Sequence, residues 1–253
     1  MEYKDELLQT PQKLQQLLDT PPKPILANKS HLVFCGCGTS LYIGQQLAKL
    51  CHSYGISATS INAIELMEEV PLFPKDTLFV FISRSGASHE TIMAAETIMQ
   101  LGYEAFYLGC IEGSPLHYLC DSAFVIPFAN EELILESYSF YVQLLGAALC
   151  CNLPVDKDVA KKVETAIIQS ELDYIHNIKG MTIKRIICLT APFYQPLFKE
   201  MTLKNGELTQ LFSEQWGILE FRHGPISWAD ENCLISMISG TRTEHWDYRV
   251  AEE

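Results

Sequence analysis

Phe79-Val80-Phe81-Ile82-Ser83-Arg84-Ser85-Gly86-Ala87-Ser88-His89-Glu90-Thr91 is an apolar run that breaks into small hydroxyl residues around one glycine and then turns helical. An unbroken apolar run of this length fits a strand buried on both faces of a parallel sheet, and the residues after it fit a tight turn opening a helix. The first N–H groups of such a helix have no partner within it and sit at the positive end of its dipole, so the turn suits an anion. Ser83, Ser85, Ser88 and Thr91 would add hydroxyl donors. Taken alone, the serines fit a helix cap first, since caps are what serines after a strand ordinarily supply.

Outward from this stretch, apolar runs alternate with helical segments. Strands are expected at Leu32–Cys35, Ala58–Ala63, Leu78–Ile82, Ala105–Cys110 and Phe124–Phe128, and helices near 40–54, 64–69, 88–101, 114–120 and 132–151. Five strands with crossovers of this length predict a parallel three-layer α/β domain over 25–152. Residues 1–24 predict a helical arm, with an apolar stripe of Leu7, Leu8, Leu14, Leu17 and Leu18 and with Thr10-Pro11 as N-cap and N1, ended by Thr20-Pro21-Pro22-Lys23-Pro24. Asn152–Asp158 looks like a linker, and 159–178 like a helix with Val163, Ile167, Ile168, Leu172 and Ile175 on one face, so 153–180 is expected as a linker helix.

A second α/β unit is expected over 181–253. Leu32 to Leu78, first to third strand of the first unit, is 46 positions, and Ile186 to Leu234 in the second is 48. That likeness predicts two copies of one fold. The second copy has only Gly240–Glu253 after its third strand, so it is expected to be incomplete and to leave a sheet edge unpaired.

Composition narrows the function. Hydrophobic residues make up 48% of 253, yet no run approaches the roughly 18 apolar residues of a membrane span. No charged-then-apolar leader opens the chain, so a cytoplasmic location is expected. A formal charge of −13 argues against nucleic acid or an anionic membrane as partner, while leaving room for a small anion held by local positive potential. The nine cysteines include Cys35-x-Cys37 and Cys150-Cys151 but no zinc-type spacing, and they are expected as buried, reduced thiols. Histidines 31, 52, 89, 117, 176 and 245 show no ligand spacing, so neither a metal nor a cofactor is expected.

Three further motifs carry chemistry. Gly36-Cys37-Gly38-Thr39-Ser40 follows the first strand and opens a helix, where doubly wound folds bind ligands. Leu41 stands where a dinucleotide fingerprint has its third glycine, and the second strand ends in Asn62-Ala63 without an acid for a ribose, which favours a phosphosugar over a nicotinamide oxidoreductase. Lys204 and Glu207 share a face of a helix expected over Gln195 to Phe212; a surface ion pair is the ordinary reading of such a pair. Gly206 within that helix suggests close approach of something to the turn. In Glu220-Phe221-Arg222-His223-Gly224-Pro225, glycine and proline stop the chain directly after a histidine.

Cys37-Gly38-Thr39-Ser40, Ser83-Arg84-Ser85-Gly86-x-Ser88, Leu203-Lys204-x-x-Glu207-Leu208 and Phe221-Arg222-His223-Gly224-Pro225, in this order, resemble the sugar isomerase (SIS) domain family. The pattern is similar to double-SIS proteins related to the isomerase half of glucosamine-6-phosphate synthase, and closer to stand-alone AgaS-type isomerases and fructosamine-6-phosphate deglycases. The resemblance implies two flavodoxin-like domains with parallel five-stranded sheets, a homodimer or higher oligomer, and a phosphosugar at the first domain. By that analogy Ser40, Ser83, Ser85 and Ser88 hold phosphate, with Gly38, Thr39 and Arg84 in the same loops. Glu131 or Glu132 matches a sugar-binding glutamate. Glu207 matches the enolising base, Lys204 the lysine beside it, and His223 a ring-opening histidine contributed by the neighbouring subunit.

There are departures. Arg84 stands where the synthase has glutamine, which marks the stand-alone branch; Met1-Glu2 offers no glutaminase cysteine; and the synthase's C-terminal tail has no counterpart before Glu253. The expected function is an aldose–ketose isomerase, or a deaminating relative of one, acting on an amino-sugar or fructosamine 6-phosphate through an enol or enolamine. The alternative is a phosphosugar-binding regulatory module without turnover.

Overall fold

The structure is a computed structural model that describes residues 2–26, 29–69, 73–240, 247 and 249–250. The histidine at 245 and most of the segment after Gly240 lie outside the described residues. The chain divides into two compact units, Met1–Asp173 and Tyr174–Glu253.

The first unit contains α1 (Tyr3–Leu7), α2 (Thr10–Asp19), β1 (His31–Gly36), α3 (Thr39–Ser53), β2 (Ala58–Asn62), α4 (Ala63–Glu69), β3 (Thr77–Ser83), α5 (His89–Gln100), β4 (Glu104–Gly109), α6 (Pro115–Leu119), β5 (Ser122–Val125), α7 (Tyr138–Cys150) and the start of α8 (Val159–Asn177). Its five strands form a parallel sheet in the order β2-β1-β3-β4-β5, the doubly wound order of flavodoxin-like folds. The middle strands are apolar on both faces because both are covered. Val33, Cys35, Phe79, Phe81 and Tyr107 pack with Leu66 of α4, Ala94 and Ile98 of α5 and Leu116 of α6. Leu32, Phe34, Leu78, Val80 and Ile82 alternate with them and are fully buried too.

Boundaries differ where side-chain chemistry overrides the apolar pattern. The last strand is Ser122–Val125 rather than Phe124–Phe128, because Pro127 has no N–H to give a ladder and opens a 3-10 turn over Pro127–Ala129. The helix expected from 132 starts at Tyr138, the preceding segment being held as a loop by Glu131 and Glu6. In the arm, Thr10 is the first residue of α2 and not its cap, and its hydroxyl donates to the Leu7 carbonyl at 2.6 Å. Leu14 and Leu17 are buried as the stripe implies, whereas Leu8 is exposed. Along α8, Ala160 is buried and Val163 packs beside it, but Ile168, Leu172 and Ile175 are exposed.

The second unit contains β6 (Arg185–Thr190), α9 (Gln195–Thr209), β7 (Phe212–Gly217), α10 (Ile218–Phe221) and β8 (Cys233–Ile238). Its strands form a parallel sheet, β7-β6-β8. The helix expected to run to Phe212 ends earlier: Gln210 adopts a left-handed conformation (φ 57°), the Leu211 N–H donates to Thr209 Oγ1, and Phe212 opens a strand. All nine cysteines are free. Among the described residues, no helix is long and apolar enough to cross a membrane, and no three His, Cys, Asp or Glu side chains gather as a metal site.

Candidate active site

In the first unit, two turns lie side by side at the carboxyl ends of the paired strands β1 and β3, where the strand order reverses and an open α/β sheet forms its ligand crevice. The first turn is tight. A Cβ on Gly36 would meet Ser40 Cβ at 2.9 Å and the Ile82 carbonyl at 3.0 Å, so only glycine lets α3 start there. Gly38, at φ 54°, is the N-cap of α3, and Thr39 and Ser40 are buried in its first turn. Cys37 between the glycines is half-buried, and burial raises its thiol above the usual range, which disfavours a thiolate nucleophile there.

In the second turn, buried Ser83 accepts the Gly86 N–H on its Oγ at 3.1 Å and lies 3.3 Å from Ser88 Oγ. Ser85 Oγ accepts the Ala87 N–H at 3.2 Å. Ser88 is the N-cap of α5, yet its side chain makes no capping hydrogen bond. Its hydroxyl points across the turn, so the helix-cap reading does not describe it, and the first N–H groups of α5 are left without a side-chain acceptor from it.

Arg84, expected in the phosphate loops, and Glu131, matched to a sugar-binding glutamate, bond to each other and to the neighbouring chain. Arg84 Nη1 donates to Glu131 Oε2 at 3.3 Å and to the Leu133 carbonyl at 2.9 Å, and Nη2 donates to the Ile134 carbonyl at 3.2 Å. Glu131 Oε1 accepts the Ser137 N–H (2.7 Å), the Ser137 hydroxyl (2.5 Å) and the Ser139 N–H (3.1 Å), and Oε2 accepts the Ser139 hydroxyl (2.5 Å). With five donors and no exposed side-chain surface, this carboxylate has no lone pair left for a ligand. The physical reason is local: the chain from 131 to 136 forms neither helix nor strand, and Glu131 supplies the acceptor that its neighbours need. Glu132 is exposed, with its N–H donated to Glu6.

Sequence reasoning missed Glu6. It lies on α1, is fully buried, and its Oε1 accepts the N–H groups of Glu132 (3.0 Å) and Leu133 (3.1 Å). The only signal was a glutamate on the apolar side of the arm, which a leucine-stripe reading passes over.

In the second unit, α9 brings Lys204 and Glu207 together. Lys204 Nζ lies 2.7 Å from Glu207 Oε2 and 3.4 Å from Glu200 Oε1. The lysine is 12% exposed and Glu200 8%, whereas Glu207 keeps 35% of its side chain exposed, so the pair reaches the surface only through Glu207 and is anchored beneath by Glu200. The sequence pattern does not single out Glu200. A Cβ on Gly206 would meet nothing within 4 Å, so no described residue closes on that turn. His223 follows α10 on an exposed loop, its N–H bonded to the Glu220 carbonyl at 3.0 Å and its ring in no hydrogen bond among the described residues. Gly224 takes φ 134° and Pro225 is buried, which fixes the chain after the histidine.

Two apolar clefts, about 250 Å³ beside Tyr54 and Tyr141 in the first unit and about 400 Å³ beneath Phe221 and Met237 in the second, include none of these candidate residues.

Known proteins share sequence and fold with most of the chain. It is 27% identical over 251 residues to a D-galactosamine-6-phosphate deaminase AgaS of Shewanella sp. (strain ANA-3), covering 91% of this chain and 65% of the relative. It is 24% identical over 219 residues to a glutamine–fructose-6-phosphate aminotransferase (isomerizing) of Campylobacter jejuni, covering 81% of this chain and 37% of the relative. The chain thus spans less than two thirds of the length of either. Among solved structures, the tagatose-6-phosphate ketose/aldose isomerase of Escherichia coli superimposes with a TM-score of 0.82 at 22% identity, over 99% of this chain and 78% of that one. The C-terminal domain of the Francisella tularensis glucosamine-fructose-6-phosphate aminotransferase gives 0.82 at 20%, over 98% and 79%. At these identities the likeness is one of fold. Residues 25–149, which hold the β1 and β3 turns, match the SIS domain.

Proposed function

We propose that the chain acts as a phosphosugar aldose–ketose isomerase, with or without release of ammonia, on an amino-sugar or fructosamine 6-phosphate. The observation that carries this reading is the uncapped Ser88 hydroxyl facing Ser83 across the β3 turn, beside Thr39 and Ser40 at the end of β1. Hydroxyls and helix N-termini converging at a sheet switch point form a cradle for a phosphate monoester. The similarity to a galactosamine-6-phosphate deaminase supports an amino sugar as the substrate.

In this reading the second unit is a further domain of the same kind, its β7-β6-β8 order repeating β2-β1-β3 of the first. Glu207, partly exposed, is the base that carries a proton between C1 and C2. Lys204 beside it offers positive charge where the substrate oxygen becomes negative during enolisation. His223, exposed and with no hydrogen bond to its ring among the described residues, opens the sugar ring, in a site completed by a second copy of the chain. Arg84 and Glu131, paired with each other, support the phosphate turn from behind.

The test is turnover of glucosamine 6-phosphate, galactosamine 6-phosphate and fructosamine 6-phosphates by the wild-type chain, alongside calorimetric binding of the same esters. Turnover of one of them is expected. Tight binding of an ester with no turnover of any would favour a regulatory phosphosugar sensor, and absence of both would sink the reading.

A further inference from the structure

Glu6 is the buried residue of α1, and only half of its carboxyl group is used. Oε1 takes the N–H groups of Glu132 and Leu133, while Oε2 is buried with no hydrogen-bond partner. A buried carboxylate oxygen left unpaired costs stability, so stability alone does not explain why an acid stands here. What the acid does is local and directional. By taking the two amides it leaves the Leu133 carbonyl, together with that of Ile134, turned to Arg84, which donates to both. Arg84 lies between Ser83 and Ser85, and its backbone carbonyl accepts the Cys110 N–H at 3.0 Å at the end of β4. Hydrogen bonds therefore link Glu6 through residues 132–134 to the Arg84 side chain, and the backbone joins Arg84 directly to Ser83 and Ser85 of the turn.

We infer that Glu6 is a positioning residue for phosphate-ester binding: docking of the N-terminal arm, through its carboxylate, sets the 132–134 loop that holds Arg84 and thereby fixes the Ser83–Ser88 turn in its binding geometry. The inference rests on the proposed function for its ligand, but the coupling between arm and turn is a property of the protein that can be read without any ligand.

The experiment uses amide hydrogen–deuterium exchange of the ligand-free chain together with calorimetric affinity for glucosamine 6-phosphate. Glu6→Ala is expected to speed exchange at residues 132–134 and at 84–88 by tenfold or more, and to weaken the ester by about tenfold. Glu6→Gln, which keeps an oxygen able to accept both amides, restores both. Arg84→Met loosens 84–88 but leaves the Glu132 and Leu133 amides protected, and adding Glu6→Ala to it gives no further loosening of 84–88. Should Glu6→Ala not fold, Glu6→Asp, which keeps the charge and withdraws the oxygen by one methylene, takes its place with the same expectations. Faster exchange confined to 132–134, with 84–88 unchanged, overturns the inference, as does loosening by Glu6→Ala that persists undiminished in the Arg84→Met background. If the wild-type chain binds no ester while the exchange pattern holds, the proposed function fails and the coupling stands.

Discussion

Ser83 Oγ and Ser88 Oγ face each other at 3.3 Å across the turn between β3 and α5, and Ser88 occupies the N-cap of α5 without capping it. A serine that caps a helix typically contributes about 1 kcal/mol to stability. Ser88→Ala is therefore expected to change the urea unfolding free energy by less than about 0.5 kcal/mol while weakening hexose 6-phosphate binding about tenfold, or roughly 1.4 kcal/mol. A stability loss of the ordinary capping size with unchanged affinity would return Ser88 to the role of cap.

Gly86 closes the same turn at φ 61°, and a Cβ there would come within 2.1 Å of Ser114 Oγ and 2.6 Å of the Tyr107 hydroxyl. Gly86→Ala adds left-handed strain to a clash with two packed groups. It is expected to cost about 2 kcal/mol or more in denaturant unfolding, and to abolish measurable binding of phosphate esters at millimolar concentration.

Lys204 sits between two carboxylates, with Glu207 at 2.7 Å and Glu200 at 3.4 Å. Lys204→Met removes the cation shared by both acids and is expected to destabilise by roughly 2 kcal/mol. Glu207→Gln keeps an oxygen near the lysine at a partly exposed position, and should cost less than about 1 kcal/mol. Thermal or urea unfolding of the two variants distinguishes them; equal losses would mean that the Lys204–Glu207 contact carries the whole effect and that Glu200 adds nothing.

Alkaline pH weakens the fold through its buried thiols. Burial pushes Cys150 up to about 12 and Cys188 up to about 11, from an ordinary value of 9.0. Below pH 9.0 these thiols are neutral in both the folded and the unfolded chain, and their contribution is fully present. Above it the unfolded chain ionises first, so stability falls as pH rises towards 11 to 12, by roughly 1.4 kcal/mol per pH unit for each thiol. Cys150→Ala lowers overall stability through lost packing, but flattens that slope between about pH 9.5 and 11. An unchanged slope would show that the thiol ionises in the folded state as it does in the unfolded one.

The fold was legible where it rests on apolar periodicity. Leu32 and Leu78, spaced 46 positions apart, are register partners in β1 and β3, and Ile186 and Leu234, spaced 48, are register partners in β6 and β8. Boundaries set by single backbone groups were not legible in that pattern: Pro127, without an N–H, opens a 3-10 turn where the apolar run predicts strand, and Gln210 ends α9 by going left-handed. The site divides in the same way. Ser83 and Ser88 announce themselves as hydroxyls after a strand, but which way the Ser88 hydroxyl points depends on packing. Arg84 and Glu131 have the right chemistry for a ligand and are occupied by each other and by the 133–139 backbone and serines. Glu6 meets its partners 126 and 127 positions away, a distance no local pattern reports.

The measurement that tests the proposed chemistry most directly is solvent deuterium incorporation at C1 and C2 of the amino-sugar 6-phosphate turned over by the chain in D₂O, for wild type and for Glu207→Gln. Deuterium is expected at these carbons for wild type, with at least a roughly hundredfold lower rate of both turnover and incorporation for a folded Glu207→Gln that still binds the ester. A Glu207→Gln variant that turns over and incorporates deuterium as fast as wild type would contradict the assignment of Glu207 as the base.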